Sequence, residues 1–168
     1  MHLRKGWIHH SQSSAATSIL FVRKPDGTLH LCIDYHGLNK ITIKTWYPLP
    51  LFDEIFDWVG KVKYFTKFDM QDGYHRLQVA MGEEWKMAFH CHYGLFEYQV
   101  MPFGLCNAPG TFQHFVNDLF REYLDNFLVS YLDDLLIYSN TLKEHKRHVR
   151  LQCCQFFIRY SSIIRING

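Results

Sequence analysis

No run of about 18 uncharged apolar residues, the least that a membrane-crossing helix needs, occurs in this chain. The N-terminal stretch MHLRKGWIHHSQSSAATS likewise has no apolar centre of the kind a secretory signal requires. A soluble chain without a membrane partner is expected. Cysteine is sparse and unsuitably spaced for a disulfide framework: Cys32, Cys91, Cys106, Cys153 and Cys154 are odd in number and include no CxxC pair. Reduced thiols in an intracellular compartment are the expectation, with no zinc knuckle. Charge of one sign is lacking too, the formal net charge being +2. Bulk electrostatics therefore neither demand nor exclude a nucleic-acid partner, and a local groove would have to supply any attraction. There is no internal repeat or low-complexity segment.

The chain does have apolar bulk. Of 168 residues, 48% are hydrophobic and 17% aromatic, enough for a real core and one compact unit. Residues 19–35, ILFVRKPDGTLHLCIDY, set two alternating runs around Pro25-Asp26-Gly27-Thr28, which predicts a β-hairpin. After the extended Tyr47-Pro48-Leu49-Pro50, the segment LFDEIFDWVG has apolar residues at 52, 55, 56 and 59 before Gly60; a short amphipathic helix fits. KYFTKFDM reads as a strand ending near Asp69, and KMAFHCHYGLFEYQVMPF as two β-rich runs around Tyr93-Gly94. From Asn107, a plausible cap, NAPGTFQHFVNDLFREYLD has apolar residues at 112, 115, 116, 119, 120, 123 and 124, the pattern of a helix with one face buried. KEHKRHVRLQ continues as a helix, whereas CCQFFIRYSSIIRING loses its periodicity.

The chemistry concentrates in FLVSYLDDLLIYS, residues 127–139, where two short β-forming runs flank Asp133 and Asp134. A hairpin whose tip holds both aspartates is predicted. A surface turn would explain them without any function, because Asp is common where a chain reverses. The alternative is chemical. Two carboxylates held together repel, each raising the other's pKa, unless a cation neutralises them. Such oxygen donors suit Mg²⁺ or Mn²⁺, and a third carboxylate would complete a site for two ions serving phosphoryl transfer. Asp69 is the leading candidate.

Read together, KPDGTLHLCIDYHGLNK, YPLP, YFTKFDMQDGYHRL, AFHCHYGLFEYQVMPFGLCNAPGTFQ and YLDDLLIYS occur in one order. Over about residues 5–151 the chain resembles the reverse transcriptase of gypsy-type long-terminal-repeat retrotransposons. The resemblance implies an α+β, right-hand polymerase fold with fingers and palm, the palm an antiparallel sheet backed by helices. It sets an N-terminal segment (1–18), a fingers and palm domain (19–151) and an atypical tail (152–168). No thumb or ribonuclease H domain is expected after residue 151.

The same resemblance assigns metal binding and catalysis to Asp69, Asp133 and Asp134, with Mg²⁺, or Mn²⁺, as cofactor. A primer 3′ hydroxyl would attack the α-phosphate of a deoxynucleoside triphosphate on an RNA or DNA template. Tyr74 matches the aromatic residue that excludes a ribose 2′ hydroxyl, its bland reading being a core tyrosine. Phe103 and Gly104 match the floor of the nucleotide pocket, and Lys24 a triphosphate contact in the fingers hairpin, where a solvated charge is the equal alternative. Tyr131 is expected to pack beneath the hairpin or touch the primer. Localisation is implied to be cytoplasmic, including virus-like particles, or nuclear.

The chain departs from the family where Arg is usual. His36 stands in the nucleotide-binding DYRxLNK pattern, His90 and His92 in FHCHYG, and Trp46 before YPLP. Neighbours that alternate across a strand cannot converge on one ion, so His90, Cys91 and His92 do not suggest zinc. Weakened phosphate contacts are expected at His36, in keeping with an ageing genomic copy of an element. Two readings therefore stand: a polymerase fragment expected to have weak or no activity alone, and a non-catalytic relic that keeps the palm as a nucleic-acid-binding or interaction module. An RNA-directed RNA polymerase fits less well, because Tyr74 and YLDD are not what that class places there.

Overall fold

The computed structural model describes residues 2–23, 25, 27–50, 55, 60, 62–158 and 162–164. The chain divides into two compact units, each assembled from separated stretches. Residues 1–45, 74–108 and 162–168 form the first unit, and 46–73 with 109–161 the second. Composition alone could not reveal this, because the chain passes between the units without any linker-like segment.

In the first unit, β1 (Ile8–His10), β2 (Thr17–Arg23), β3 (Leu29–Ile33), β6 (Phe89–Cys91) and β7 (Gly94–Tyr98) make a sheet of order β1-β7-β6-β2-β3. The predicted β2–β3 hairpin is present, with Ile19 opposite Ile33 and Arg23 opposite Leu29. The β6–β7 hairpin turns at His92-Tyr93, with Cys91 opposite Gly94. Helix α1 (His36–Ile41) follows β3, and β5 (Leu77–Val79) pairs in parallel with β10 (Ser162–Ile164). Tyr35, Val79, Met87, Phe89, Phe96, Tyr98 and Val100 form a buried cluster. Four of these seven residues are aromatic, and large rings bury much apolar area per residue.

The second unit contains an antiparallel sheet of order β4-β9-β8, built from β4 (Tyr64–Asp69), β8 (Leu128–Tyr131) and β9 (Asp134–Ser139). Helix α2 (Ala108–Leu119) and helix α3 (Leu142–Ile158) accompany it, α3 packing on β9 and β4. Phe112, Val116 and Phe120 of the predicted apolar face are fully buried, as are Leu128, Leu135 and Ile137. Helix α2 stops earlier than its periodicity suggests. The amide of Tyr123 bonds back to Phe120 O, and Asp125 adopts a left-handed φ of 63°, turning the chain toward β8. Helix α3 continues through CCQFF, where the apolar pattern fades. The helix expected over LFDEIFDWVG lies outside the described residues. No helix among the described residues is long and apolar enough to cross a membrane.

Candidate active site

The register of the second sheet decides the geometry of the carboxylates. Asp69, last residue of β4, pairs directly with Asp134, first residue of β9, and Asp134 pairs on its other side with Tyr131. Cross-strand partners project to one face, so Asp69, Asp134 and Tyr131 form a row across the three strands. Like charges directly opposite are unfavourable. Lys67, two residues before Asp69 and on the same face, places Nζ 2.9 Å from Oδ2 of Asp134 and offsets part of that repulsion.

The hairpin tip is Leu132-Asp133, so Asp134 belongs to the strand and only Asp133 to the turn. Leu132 takes a left-handed φ of 50°, uncommon for a residue with a branched side chain. The carbonyl of Asp133 accepts a hydrogen bond of 2.9 Å from the amide of Met70, which fixes the tip beside the end of β4. Oδ1 of Asp133 is shut off from solvent and has no hydrogen-bond partner among the described residues. Burial, and then the charges of Asp69 and Asp134, push the Asp133 carboxyl up to about 6. An orphaned buried carboxylate oxygen beside two more carboxylates is unfavourable by itself and suits an oxygen-seeking divalent cation. Carboxylate oxygens are donors of the kind that suit Mg²⁺ or Mn²⁺. Among the described residues, no group of three His, Cys, Asp or Glu side chains is placed to hold a metal ion as the side chains stand.

The tip is supported from beneath by groups outside the motif aspartates. Oε1 of Gln113, on α2, accepts a 2.7 Å hydrogen bond from the amide of Leu132, and its Nε2 faces Oγ of Ser130 at 2.9 Å and Oδ1 of Asn117 at 2.9 Å. Asn117 in turn donates to the hydroxyl of Tyr47 at 2.9 Å. Gly73, having no Cβ, leaves room for Asp133. The sequence pattern treats α2 as core and passes over Gln113. Its signal is a polar residue on the buried stripe, three residues before Val116 and seven before Phe120.

The nucleotide-pocket candidates fall in the first unit. Tyr74 is buried at 7% exposure and Phe103 is 52% exposed, with ring centroids 4.8 Å apart. His75 meets Phe103 edge-on at 5.2 Å and stacks on Trp7 at 4.3 Å, holding the short 3-10 turn of Tyr74–Arg76. Gly104 has a φ of 99°, open to glycine and strained for other residues, and a Cβ there would reach 3.4 Å from the Tyr35 ring. Asn39 clamps this loop, donating to Gly104 O at 2.7 Å and accepting from the Cys106 amide at 2.8 Å. Asn107, expected as a helix cap, donates instead to Ile43 O and accepts from the Thr45 amide. His36 is turned to Asp34, whose carboxylate bonds both its ring and its amide. That contact holds the Asp34 carboxyl below its usual value. Lys24 lies outside the described residues. Cys32, Cys91 and Cys106 are free thiols.

Residues 22–164 match the family model described as reverse transcriptase (RNA-dependent DNA polymerase). An RNA-directed DNA polymerase homolog of Oenothera berteroana is 48% identical over 127 residues, 74% of this chain and 89% of that one. The transposon Tf2-3 polyprotein of Schizosaccharomyces pombe is 40% identical over 148 residues, 88% of this chain but 11% of the polyprotein. In fold the chain is similar to a prototype foamy virus protease-reverse transcriptase, with a TM-score of 0.82, 24% identity, and 98% and 22% of the two chains covered. It is also similar to the foamy viral protease-reverse transcriptase in complex with an RNA/DNA hybrid, with a TM-score of 0.84, 22% identity, and 93% and 21% covered. The α+β architecture is thus that of a polymerase fold. With a family model spanning most of its length and a near full-length relative at this identity, the chain belongs to the reverse transcriptase (RNA-dependent DNA polymerase) family.

Proposed function

We propose that this chain is the polymerase portion of a gypsy-type retrotransposon polyprotein and extends a primer 3′ hydroxyl with deoxynucleotides on an RNA or DNA template. The observation that supports this most is the desolvated Oδ1 of Asp133, without a hydrogen-bond partner among the described residues, beside the paired Asp69 and Asp134. Asp69 and Asp133 are assigned as the ligands of Mg²⁺ or Mn²⁺, with Asp134 shaping the site and anchored by Lys67. Divalent ions held there would activate the primer hydroxyl and neutralise charge on the phosphates in transfer. Tyr74 is assigned to rejecting a 2′ hydroxyl, and Phe103 and Gly104 to the face of the incoming base.

The test is primer extension on poly(rA) with oligo(dT), Mg²⁺ and thymidine triphosphate. Extension by the chain and its loss in Asp133→Asn and Asp134→Asn support the proposal; extension unaffected by both substitutions refutes it. A second reading, a chain that keeps the fold without polymerising, is favoured by one observation. His36, where the family has a phosphate-binding Arg, is engaged by Asp34 and offers a shorter side chain without the guanidinium fork. No extension under any condition, with the fold intact, would select that reading.

A further inference from the structure

We propose that Gln113 is a positioning residue for the carboxylate-bearing hairpin, acting through the backbone of Leu132. The inference rests on the reading of Asp133 as a metal ligand and adds a residue to that site.

Gln113 is fully buried, and a buried amide must satisfy its polar groups or incur the cost of desolvation. Its oxygen meets the Leu132 amide at 2.7 Å. Its nitrogen is shared among Ser130 O at 3.2 Å, Ser130 Oγ at 2.9 Å and Asn117 Oδ1 at 2.9 Å. Ser130 Oγ also donates to Asn117 Oδ1 at 2.8 Å, and Asn117 donates to Tyr47. The amide therefore cannot swing without breaking several bonds at once. Its contact falls on the one residue of the hairpin with a left-handed backbone, Leu132 at φ 50°. That conformation disfavours a side-chain-bearing residue and persists only when its surroundings over-determine it. Gln113 supplies that constraint one residue before Asp133, whose own backbone is tied only through its carbonyl to Met70 among the hydrogen bonds of the described backbone. A helix outside the carboxylate sheet thus sets the direction in which Asp133 leaves the turn.

The experiment compares the wild-type chain with Gln113→Met, which keeps length and loses every hydrogen bond, and with Gln113→Met combined with Leu132→Gly. Residue-resolved amide hydrogen exchange and Mn²⁺ binding by electron paramagnetic resonance are measured without nucleotide. In Gln113→Met the Leu132 amide exchanges about tenfold faster or more, the β4–β9 amides keep their protection, and Mn²⁺ binds about tenfold more weakly. Adding Leu132→Gly restores much of the Mn²⁺ affinity, because glycine holds a positive φ without the hydrogen bond. Should Gln113→Met fold poorly, Ser130→Ala removes one constraint on the amide, and the same local pattern is expected in weaker form.

Unchanged Leu132 exchange overturns the proposal, as does a loss of protection spread evenly over the unit with no rescue by glycine. Wild-type Mn²⁺ affinity in the Gln113→Met chain also overturns it while leaving the metal reading intact. If the wild type binds no Mn²⁺ but Leu132 alone loses protection, the metal reading fails and the anchoring of the hairpin by Gln113 stands.

Discussion

A methyl group on Gly73 would lie 2.5 Å from Oδ1 of Asp133. It would also lie 2.9 Å from the Phe112 ring and 3.3 Å from Met70 O, so neither the ring nor the backbone leaves it another place. Gly73→Ala is therefore expected to push the Asp133 carboxylate aside and to destabilise the chain by about 1–3 kcal/mol. Thermal unfolding measures the second effect and Mn²⁺ titration the first. Undiminished Mn²⁺ affinity in that variant would mean that Asp133 does not need its present position.

Asp133 also makes metal-free stability depend on pH. In the unfolded chain its carboxyl titrates near the ordinary value of about 3.9, and in the fold near 6. Between those values the folded state binds more protons, so this contribution is full below about pH 4 and is lost as pH rises through about 6. Asp133→Asn removes the penalty. At pH 7.5 without divalent ions it is expected to melt about 2–4 °C higher, reflecting about 1 kcal/mol after solvent screening. It should also lose the stabilisation that Mg²⁺ or Mn²⁺ gives the wild type. A lower melting temperature for the metal-free variant would contradict the assignment.

Lys67 and Asp134 are both substantially exposed, with side-chain exposures of 62% and 47%. Lys67→Ala should change stability by less than about 1 kcal/mol. Its informative readout is cation binding: with the competing ammonium gone, Mn²⁺ should bind more tightly at low salt, and the difference should shrink as salt screens it. Weaker Mn²⁺ binding in Lys67→Ala would show that the lysine supports the site instead of competing for it.

Tyr74 distinguishes a selective aromatic from a core one. Tyr74→Phe keeps the ring against Phe103 and should still exclude ribonucleotides, whereas Tyr74→Val opens the space and should admit them. Primer extension with ribonucleoside and deoxynucleoside triphosphates measures the ratio. Loss of stability in Tyr74→Val with no change in that ratio would leave Tyr74 a packing residue.

Alternation and turn residues were enough to locate β2, β3, β4, β6, β7 and the YLDD hairpin, because strand periodicity and turn chemistry are local properties. The same holds for α2 and the start of α3. The ends were less readable: α2 stops where Asp125 reverses the chain, and α3 outlasts its pattern. Which stretches make up each of the two units was not readable, since each is assembled from segments far apart in sequence.

For the site, local pattern identified Asp133 and Asp134 as a pair and left a surface turn as the simpler explanation, until the ordered motifs joined them to Asp69, Tyr74 and Phe103. What sequence by itself determined was therefore the family and the chemical identity of the candidate groups, because motif order and residue type are properties of the chain. Only the tertiary structure shows that Asp69 faces Asp134 across a strand pair, that Asp133 has a buried oxygen with no partner among the described residues, and that Gln113 reaches under the tip. Strand register and long-range hydrogen bonds set each of these relationships, and neither exists until residues dozens of positions apart are brought together.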